Sequence, residues 1–251
     1  MNQTVKELMD RKSVRVYEEQ QIGLDKKAAI IEAALQAPTA GNMTLYSIID
    51  ITDQELKKKL SVSCDNQPFI AQAPMVLVFV ADYQKWYDLF CKYEDAVRAP
   101  GMGDLMLAAE DALIAAQNAV VAAESMGIGS CYIGDILEQY ETHRELLSLP
   151  RYAVPAAMVV FGYPTKQQKE REKPRRLRPE AVVFENSYRR LNPEAFQNEL
   201  NKVTDRGEDF KRWIKAFCNR KWNSDFSREM SRSVKAMMNQ WEKEEQETDE
   251  V

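Results

Sequence analysis

The chain has 251 residues, of which 45% are hydrophobic and 29% charged, with a net charge of −5 and a pI near 5.3. A chain of this length buries roughly three-quarters of its unfolded surface, as one large domain or two small ones. The acidic balance argues against a nucleic-acid binder, and only 9 Gly and 10 Pro exclude a low-complexity or collagen-like chain.

MNQTVKELMDRK has no apolar core of the secretory type, so no signal segment is expected. The apolar stretches at 75–81 and 105–123 do not read as membrane spans. The first is short, and the second is interrupted by Glu110, Asp111, Gln117 and Asn118. The expectation is a cytoplasmic protein without a membrane partner.

In chain order, residues 3–10 read as a helix. RKSVRVY (11–17) alternates cations and a hydroxyl with valines. It is either an exposed strand with its valines inward, or two guanidinium forks and a hydroxyl converging on an anion. LDKKAAIIEAALQAP (24–38) is an amphipathic helix stopped by Pro38, and TAGNM is a loop. LYSIIDIT (45–52) is a strand, and DQELKKKLSVSC a helix with Asp53 as N-cap. DNQPF is a turn. APMVLVFVAD (73–82) is a strand buried on both faces. Residues 83–103, with YQKWYDLF, read as an irregular surface excursion. DLMLAAEDALIAAQNAVVAAESMG (104–127) is a long helix starting at Asp104 and stopping at Gly127. Its alanines and wide apolar surface place it in the core or at a dimer contact. GIGSCYIGD is a glycine-bearing loop, ILEQYETHRELLSLP a helix, and AVPAAMVVFGYP (153–164) ends in a second buried strand. TKQQKEREKPRRLRPE (165–180) is basic, a solvated loop or a second anion-binding element. From 188 on the chain is polar and helical, with an acidic end expected to fray.

Cys64, Cys91, Cys131 and Cys218 are widely spaced and read as free thiols, and no zinc or other metal site is expected. The single histidine, His143, is placed at the surface or at a cap. That leaves no triad or Cys–His pair, so no side chain is assigned as catalytic and a cofactor is expected to carry the chemistry. GMGDLM lacks the third Gly of a dinucleotide fingerprint, and GIGSCYIG is not a Walker loop.

The order of these signals is more specific than any one of them. A helix, R-x-S-x-R, A-P-T-A-G-N, N-Q, a buried strand, a long Ala-rich helix, G-x-G-S-x-Y-I-G, a strand ending G-Y-P, then K-P-R, resembles the FMN-dependent nitroreductase family over about residues 4–190. The branch is that of oxygen-insensitive NADPH nitroreductases and NADPH–FMN oxidoreductases. The resemblance implies an α+β fold with a central, mostly antiparallel sheet, helices on both faces, and an intertwined homodimer. It implies an FMN-binding domain over 1–190 and a helical extension over 191–251 packed on it.

By the same resemblance Arg11 and Ser13 contact the FMN phosphate, with Lys173 and Arg175 completing the clamp. Arg15 lies nearer the ribityl or pyrimidine side, and Gln67 bonds the polar edge of the ring. Thr39, Gly41, Asn42 and Met43 reach the partner's flavin. Tyr132, Ile133 and Gly134 lie beside the reactive face. Asp135 stands where the family often has a second Gly. The implied reaction is ping-pong hydride transfer from NAD(P)H, with NADPH preferred, to a small-molecule acceptor: a nitroaromatic, quinone or flavin. Arg206, Arg212, Arg220 and Lys221 are candidates for the 2′-phosphate. Their alternative is a solvated face paired with Glu208, Asp209 and Asp225. The alternative functions are a flavin-binding sensor or store, and a specialised dehalogenase-like or enone reductase.

Overall fold

The computed structural model describes residues 1–204 and 206–242. The acidic end expected to fray, 243–251, lies outside the described residues. In chain order the elements are α1 (Gln3–Asp10), α2 (Leu24–Leu35), β1 (Tyr46–Asp50), α3 (Gln54–Ser63), α4 (Pro68–Gln72), β2 (Met75–Asp82), α5 (Gln84–Tyr93), α6 (Met102–Ser125), β3 (Gly129–Ile133), α7 (Tyr140–Leu146), β4 (Ala153–Gly162), α8 (Lys166–Glu170), α9 (Pro193–Thr204), α10 (Phe210–Lys221) and α11 (Asp225–Glu242). The described residues divide into two compact units: 1–171 with 229–242, and 172–228.

The first unit is built on one sheet in the order β1-β2-β4-β3, each neighbouring pair antiparallel. β2 is interior, which is why its valine-rich run has no polar alternation. Leu77 and Phe79 pack with Val159 and Phe161 against α2 and α6. Val76, Val78 and Val80 pack on the other face with Leu60, Cys64 and Ile70 of the α3–α4 region. Helices therefore cover both faces, as expected. Pro155 lies in β4 beside a register shift at Phe79/Val80. β3 pairs with β4 only from Met158 to Gly162, so Pro155 has no β3 ladder to interrupt.

α6 is long and apolar enough to cross a membrane by length and composition. In the fold it is the central core helix. Ala112, Ala115, Ala116, Ala119 and Ala123 are fully buried, and the missing side-chain bulk lets α2 and the sheet approach. It begins two residues earlier than expected. Gly101 is the N-cap, and Asp104 reaches back to accept its N–H at 2.8 Å. Asp53 does cap α3, accepting from Leu56 N–H at 2.7 Å.

Three secondary-structure expectations need correction. Residues 83–103 are not wholly irregular, because YQKWYDLF lies largely in α5. GIGSCYIG is not a loop but contains β3, whose Gly129 pairs with Gly162. The helix expected from Ile136 is a 3-10 turn over Gly134–Leu137 and then α7, separated by Gln139 in a left-handed conformation (φ 45°).

His143 is not at the surface but fully buried. Its neighbours Glu141, Thr142, Arg144 and Glu145 hide it among polar residues in sequence, yet it shares the inward face of α7 with Tyr140. Nδ1–H donates to Ile136 O at 3.0 Å, and the Ser63 hydroxyl donates to Nε2 at 2.8 Å. Cys64 Sγ lies 3.8 Å from Nε2. Both ring nitrogens are satisfied in the neutral form.

In the second unit α9 and α10 are amphipathic, and Phe210, Trp213 and Phe217 form an aromatic row along α10. In the first unit, α11 buries Met237 and Trp241 with Tyr152 and Val154, Trp241 meeting the Tyr152 ring edge-on at 5.5 Å.

Burial lowers the His143 pKa below its usual value, against the pull of the Ile136 and Glu138 backbone acceptors. The unfolded chain protonates this ring below about pH 6.5, whereas the folded chain resists. The stability contributed by neutral His143 is therefore present above that pH and lost as pH falls. In urea unfolding at pH 7.5 and pH 5, His143→Gln will be less stable than the parent at both, with a clearly smaller gap at pH 5. A gap independent of pH would contradict this.

Candidate functional site

The site forms along β3, an edge strand. Residues 11–17 run beside it and touch it at isolated bridges, Ser13 with Ser130 in parallel sense and Tyr17 with Pro164. Val14 N–H donates to Ser130 O, and Glu18 N–H to Tyr163 O, both at 2.9 Å. The Tyr17 hydroxyl donates to Val14 O at 3.0 Å and pins the bend. The exposed-strand reading of the comb is met only in part: Val14 is buried and Arg15 exposed, but Val16 is exposed as well and no continuous ladder forms.

Two paired glycines make room for this segment. A Cβ on Gly129 would sit 2.5 Å from Val14 Cγ2 and 2.9 Å from Val14 Cβ. One on Gly162 would sit 2.5 Å from the Tyr17 ring and 2.9 Å from Pro74. Both stood in quoted motifs, G-x-G-S-x-Y-I-G and the strand ending G-Y-P, but neither was given this role, although a Gly inside a strand run is a signal for close backbone approach.

Arg11 is only partly committed. Its Nε is buried with no hydrogen-bond partner among the described residues, its Nη2 lies 3.5 Å from Ser130 Oγ, and its guanidinium lies 5.8 Å from the Tyr132 ring centre. Burial holds the nearby Glu124 carboxyl above its usual range, and Arg11 pulls it the other way. Arg15 reaches over the Phe69 ring at 5.9 Å, next to the N-terminus of α4. Lys12 and Arg171, which sequence reasoning missed, act as anchors. Lys12 Nζ donates to Lys169 O at 2.6 Å and also to Arg171 O, and Arg171 Nη2 donates to Ser13 O at 2.6 Å.

The far end of β3 leads to Ile133, which is buried, and to Gly134, which is exposed, with nothing within 4 Å of where its Cβ would stand. The Tyr132 hydroxyl donates to Gln117 Oε1 at 3.3 Å, and burial pushes its pKa up to about 12, with Arg11 opposing. Gln67, the N-cap residue of α4, uses its side-chain NH2 on Cys64 O at 2.9 Å and on Asp135 Oδ2 at 2.8 Å. Beyond Asp135 sits Glu138, 4% exposed, with Oε1 unpartnered among the described residues. Its pKa is raised to about 7 by burial first and then by the Asp135, Asp65 and Glu229 carboxylates. Arg11, Ser13, Arg15, Gln67, Tyr132, Ile133 and Gly134 are thus gathered on one strand edge.

Thr39, Gly41, Asn42 and Met43 are not part of that gathering. Their loop leads into β1, the opposite edge of the sheet, three inter-strand steps or roughly 14 Å from β3. Residues 40–42 form a 3-10 turn in which Gly41 and Asn42 have φ of 56° and 57°. Asp111 of α6, 3% exposed, holds both ends of the loop. Its carboxylate accepts from Ala40 N–H at 2.9 Å and from Leu45 N–H at 3.1 Å. From the sequence, Asp111 was only an interruption in an apolar run.

Lys173, half-buried, and Arg175, exposed, lie in the second unit, as do all four tail candidates. Arg206, Arg220 and Lys221 sit over the rings of Trp213, Phe217 and Phe226 at 5.7, 5.5 and 5.4 Å, and Arg212 is exposed. Asp225, expected to pair with these cations, has Arg228 at 3.7 Å.

Comparison with known proteins bears on this arrangement. The model of the family described as "Nitroreductase family" matches residues 8–163, the stretch that builds the sheet and the β3 edge. The chain belongs to the nitroreductase family. It is 33% identical over 236 residues to an FMN reductase [NAD(P)H] of Bacillus subtilis, covering 93% of this chain and 90% of that one. Identity to an oxygen-insensitive NADPH nitroreductase of Salmonella typhimurium is also 33%, over 76% of this chain and 77% of that one. In fold, the chain is similar to the NADPH:FMN oxidoreductase of Vibrio harveyi solved with NAD+. The TM-score is 0.79 at 26% identity, over 94% of this chain and 98% of that one.

Two outcomes follow from the site's packing and charge. Gly129→Ala drives a methyl into Val14, and overpacking of this kind costs about 1–3 kcal/mol. Urea unfolding will show that loss, whereas Gly134→Ala, with open space around it, will not. Glu138 is protonated in the fold over a range in which the unfolded chain is ionised, so its contribution falls as pH rises from about 4.5 through 7. Glu138→Gln will therefore gain stability relative to the parent between pH 5 and pH 8, by roughly 1–3 kcal/mol. An unchanged difference would show that Glu138 titrates as a solvated acid.

Proposed function

We infer that the protein is an FMN-dependent NAD(P)H oxidoreductase. It passes two electrons from the nicotinamide to a small acceptor, a nitroaromatic, quinone or flavin, by a ping-pong exchange. The observation that carries this reading is the Arg11 guanidinium, whose buried Nε has no partner among the described residues and whose Nη2 lies 3.5 Å from Ser130 Oγ on the β3 edge. A buried donor without an acceptor is costly, and a phosphate oxygen removes that cost.

The residues present fit the cofactor. Arg11 and Ser13 would hold the phosphate, and Lys12 and Arg171 keep their backbone in place without spending the Arg11 fork. The resemblance adds Lys173 and Arg175 to the phosphate and Arg15 to the ribityl or pyrimidine side. Gln67 would meet the polar edge of the ring. Tyr132, Ile133 and Gly134 would line its face, where the absent Gly134 side chain leaves room for a flat substrate. FMN, when bound, supplies the two-electron chemistry that no side chain here provides.

Assembly and address complete the proposal. Met106, Leu107, Leu113 and Ile114 of α6 are exposed on the face away from its buried alanines, and this apolar surface supports a homodimer. The loop at Thr39, Gly41, Asn42 and Met43, on the far sheet edge, would then serve the second subunit's flavin. The protein acts in the cytoplasm, independent of nucleic acid and membrane, in the arrangement proposed from the sequence: a domain over 1–190 with an extension over 191–251. Among the tail candidates, Arg212, Arg206, Arg220 and Lys221 would favour NADPH over NADH. A sensor or store would bind flavin without turning it over.

Purified protein will be yellow and will bleach anaerobically with NADPH, and more slowly with NADH. A yellow protein that does not bleach is a flavin store. Charge-assisted hydrogen bonds contribute about 1.5–3 kcal/mol, so Arg11→Ala will weaken FMN binding by about ten- to a hundredfold in a fluorescence titration. Unchanged affinity in Arg11→Ala would remove the proposal's central support.

A further inference from the structure

Asp135 departs from the family pattern, and its place in the fold gives it a task. The Gln67 amide carries two N–H groups and one oxygen. Both of its neighbours, Cys64 O at 2.9 Å and Asp135 Oδ2 at 2.8 Å, are acceptors. A flipped amide would set its oxygen against two oxygens, so Nε2 must face them. Both N–H groups are then used, and Oε1 takes no hydrogen bond among the described residues. Cys64 O is main chain and half of the lock. Asp135 is the other half, held on the 3-10 turn Gly134–Leu137 immediately after Gly134.

We propose that Asp135 is a positioning residue that locks Gln67 into presenting only an acceptor, so that the site selects a ring edge bearing an N–H donor. This rests on the FMN reading above. The polar edge of a flavin offers two carbonyls flanking one imide N–H, and the locked Gln67 Oε1 can bond only that N–H. Without Asp135 the second amide N–H is released. The amide can then swing about its bond to Cys64 O and offer a donor to either carbonyl. Asp135 therefore sets which edge chemistry the pocket accepts while remaining behind Gln67.

The experiment displaces FMN from the intact holoenzyme with 3-methyl-FMN, whose imide nitrogen has no hydrogen, and measures released FMN after filtration by separating the two flavins chromatographically. The ratio of the two affinities is read in the parent, Asp135→Ala and Asp135→Asn. The parent will bind the methylated cofactor at least tenfold more weakly than FMN. In Asp135→Ala the ratio will fall to threefold or less. Asp135→Asn keeps an oxygen for Gln67 and will keep the parent's ratio, which a role through charge alone would not. A parent ratio below threefold, or the same ratio in Asp135→Ala as in the parent, overturns the proposal while leaving FMN binding intact. A parent that holds no FMN overturns the functional reading, and this proposal with it.

Discussion

The site depends on the close passage of residues 11–17 over a glycine pair. Gly129 and Gly162 face each other across β3 and β4, and Val14 and Tyr17 occupy the space their side chains would fill. Once Val14 is seated there, Ser13 and Arg15 cannot turn inward, and Arg11 falls beside Ser130 and Tyr132. The polar comb is thus aimed by two apolar contacts. Lys12 and Arg171 then tie the same segment to the chain leaving α8, so two cations of this region are spent as anchors.

The other constraint is α6. A helix so rich in alanine has little side chain to bury, and its value lies in letting α2 and the sheet come close. Asp111 is the exception, a carboxylate in an apolar stretch. Burying it costs several kcal/mol unless its oxygens are satisfied. Here they accept from Ala40 and Leu45, and so the core helix fixes a loop containing left-handed residues at the opposite edge of the sheet. One helix thereby positions both the β3 side, through Gln117 and Tyr132, and the loop at residues 39–43.

What the sequence shows clearly is what hydrophobic periodicity encodes. The β2 run reads as a strand buried on both faces because every residue from Met75 to Ala81 is inside, alternate ones belonging to different layers. The capped start of α3 is equally plain. Legibility fails where a distant contact overrides a local preference. Glycines disfavour strands, so β3 reads as a loop until Val14 is seen to need the space. His143 reads as surface because its neighbours are polar, although its i,i+3 spacing from Tyr140 marks the inward face of α7. In the site, the types Arg, Ser and Gln at their positions carry the resemblance. Lys12, Asp111 and Arg171 act through backbone groups far away in the chain, and no local pattern records that.

The charge layout gives the site a direction. Arg11, Lys12, Arg15 and Arg171 cluster at the 11–17 segment, whereas Asp135, Glu138 and Asp65 cluster past Gly134. The two groups are joined through the strand edge: Arg11 lies 5.8 Å from the Tyr132 ring centre, and Arg15 lies over Phe69, two residues from the Gln67 that bonds Asp135. Glu138 moderates the acidic end: while it holds its proton, near and below pH 7, Asp135 can satisfy Gln67 without a second charge beside it. In the proposed FMN site the orientation of a flat cofactor would thus follow from both groups together, and neither the cations nor the carboxylates would define it alone.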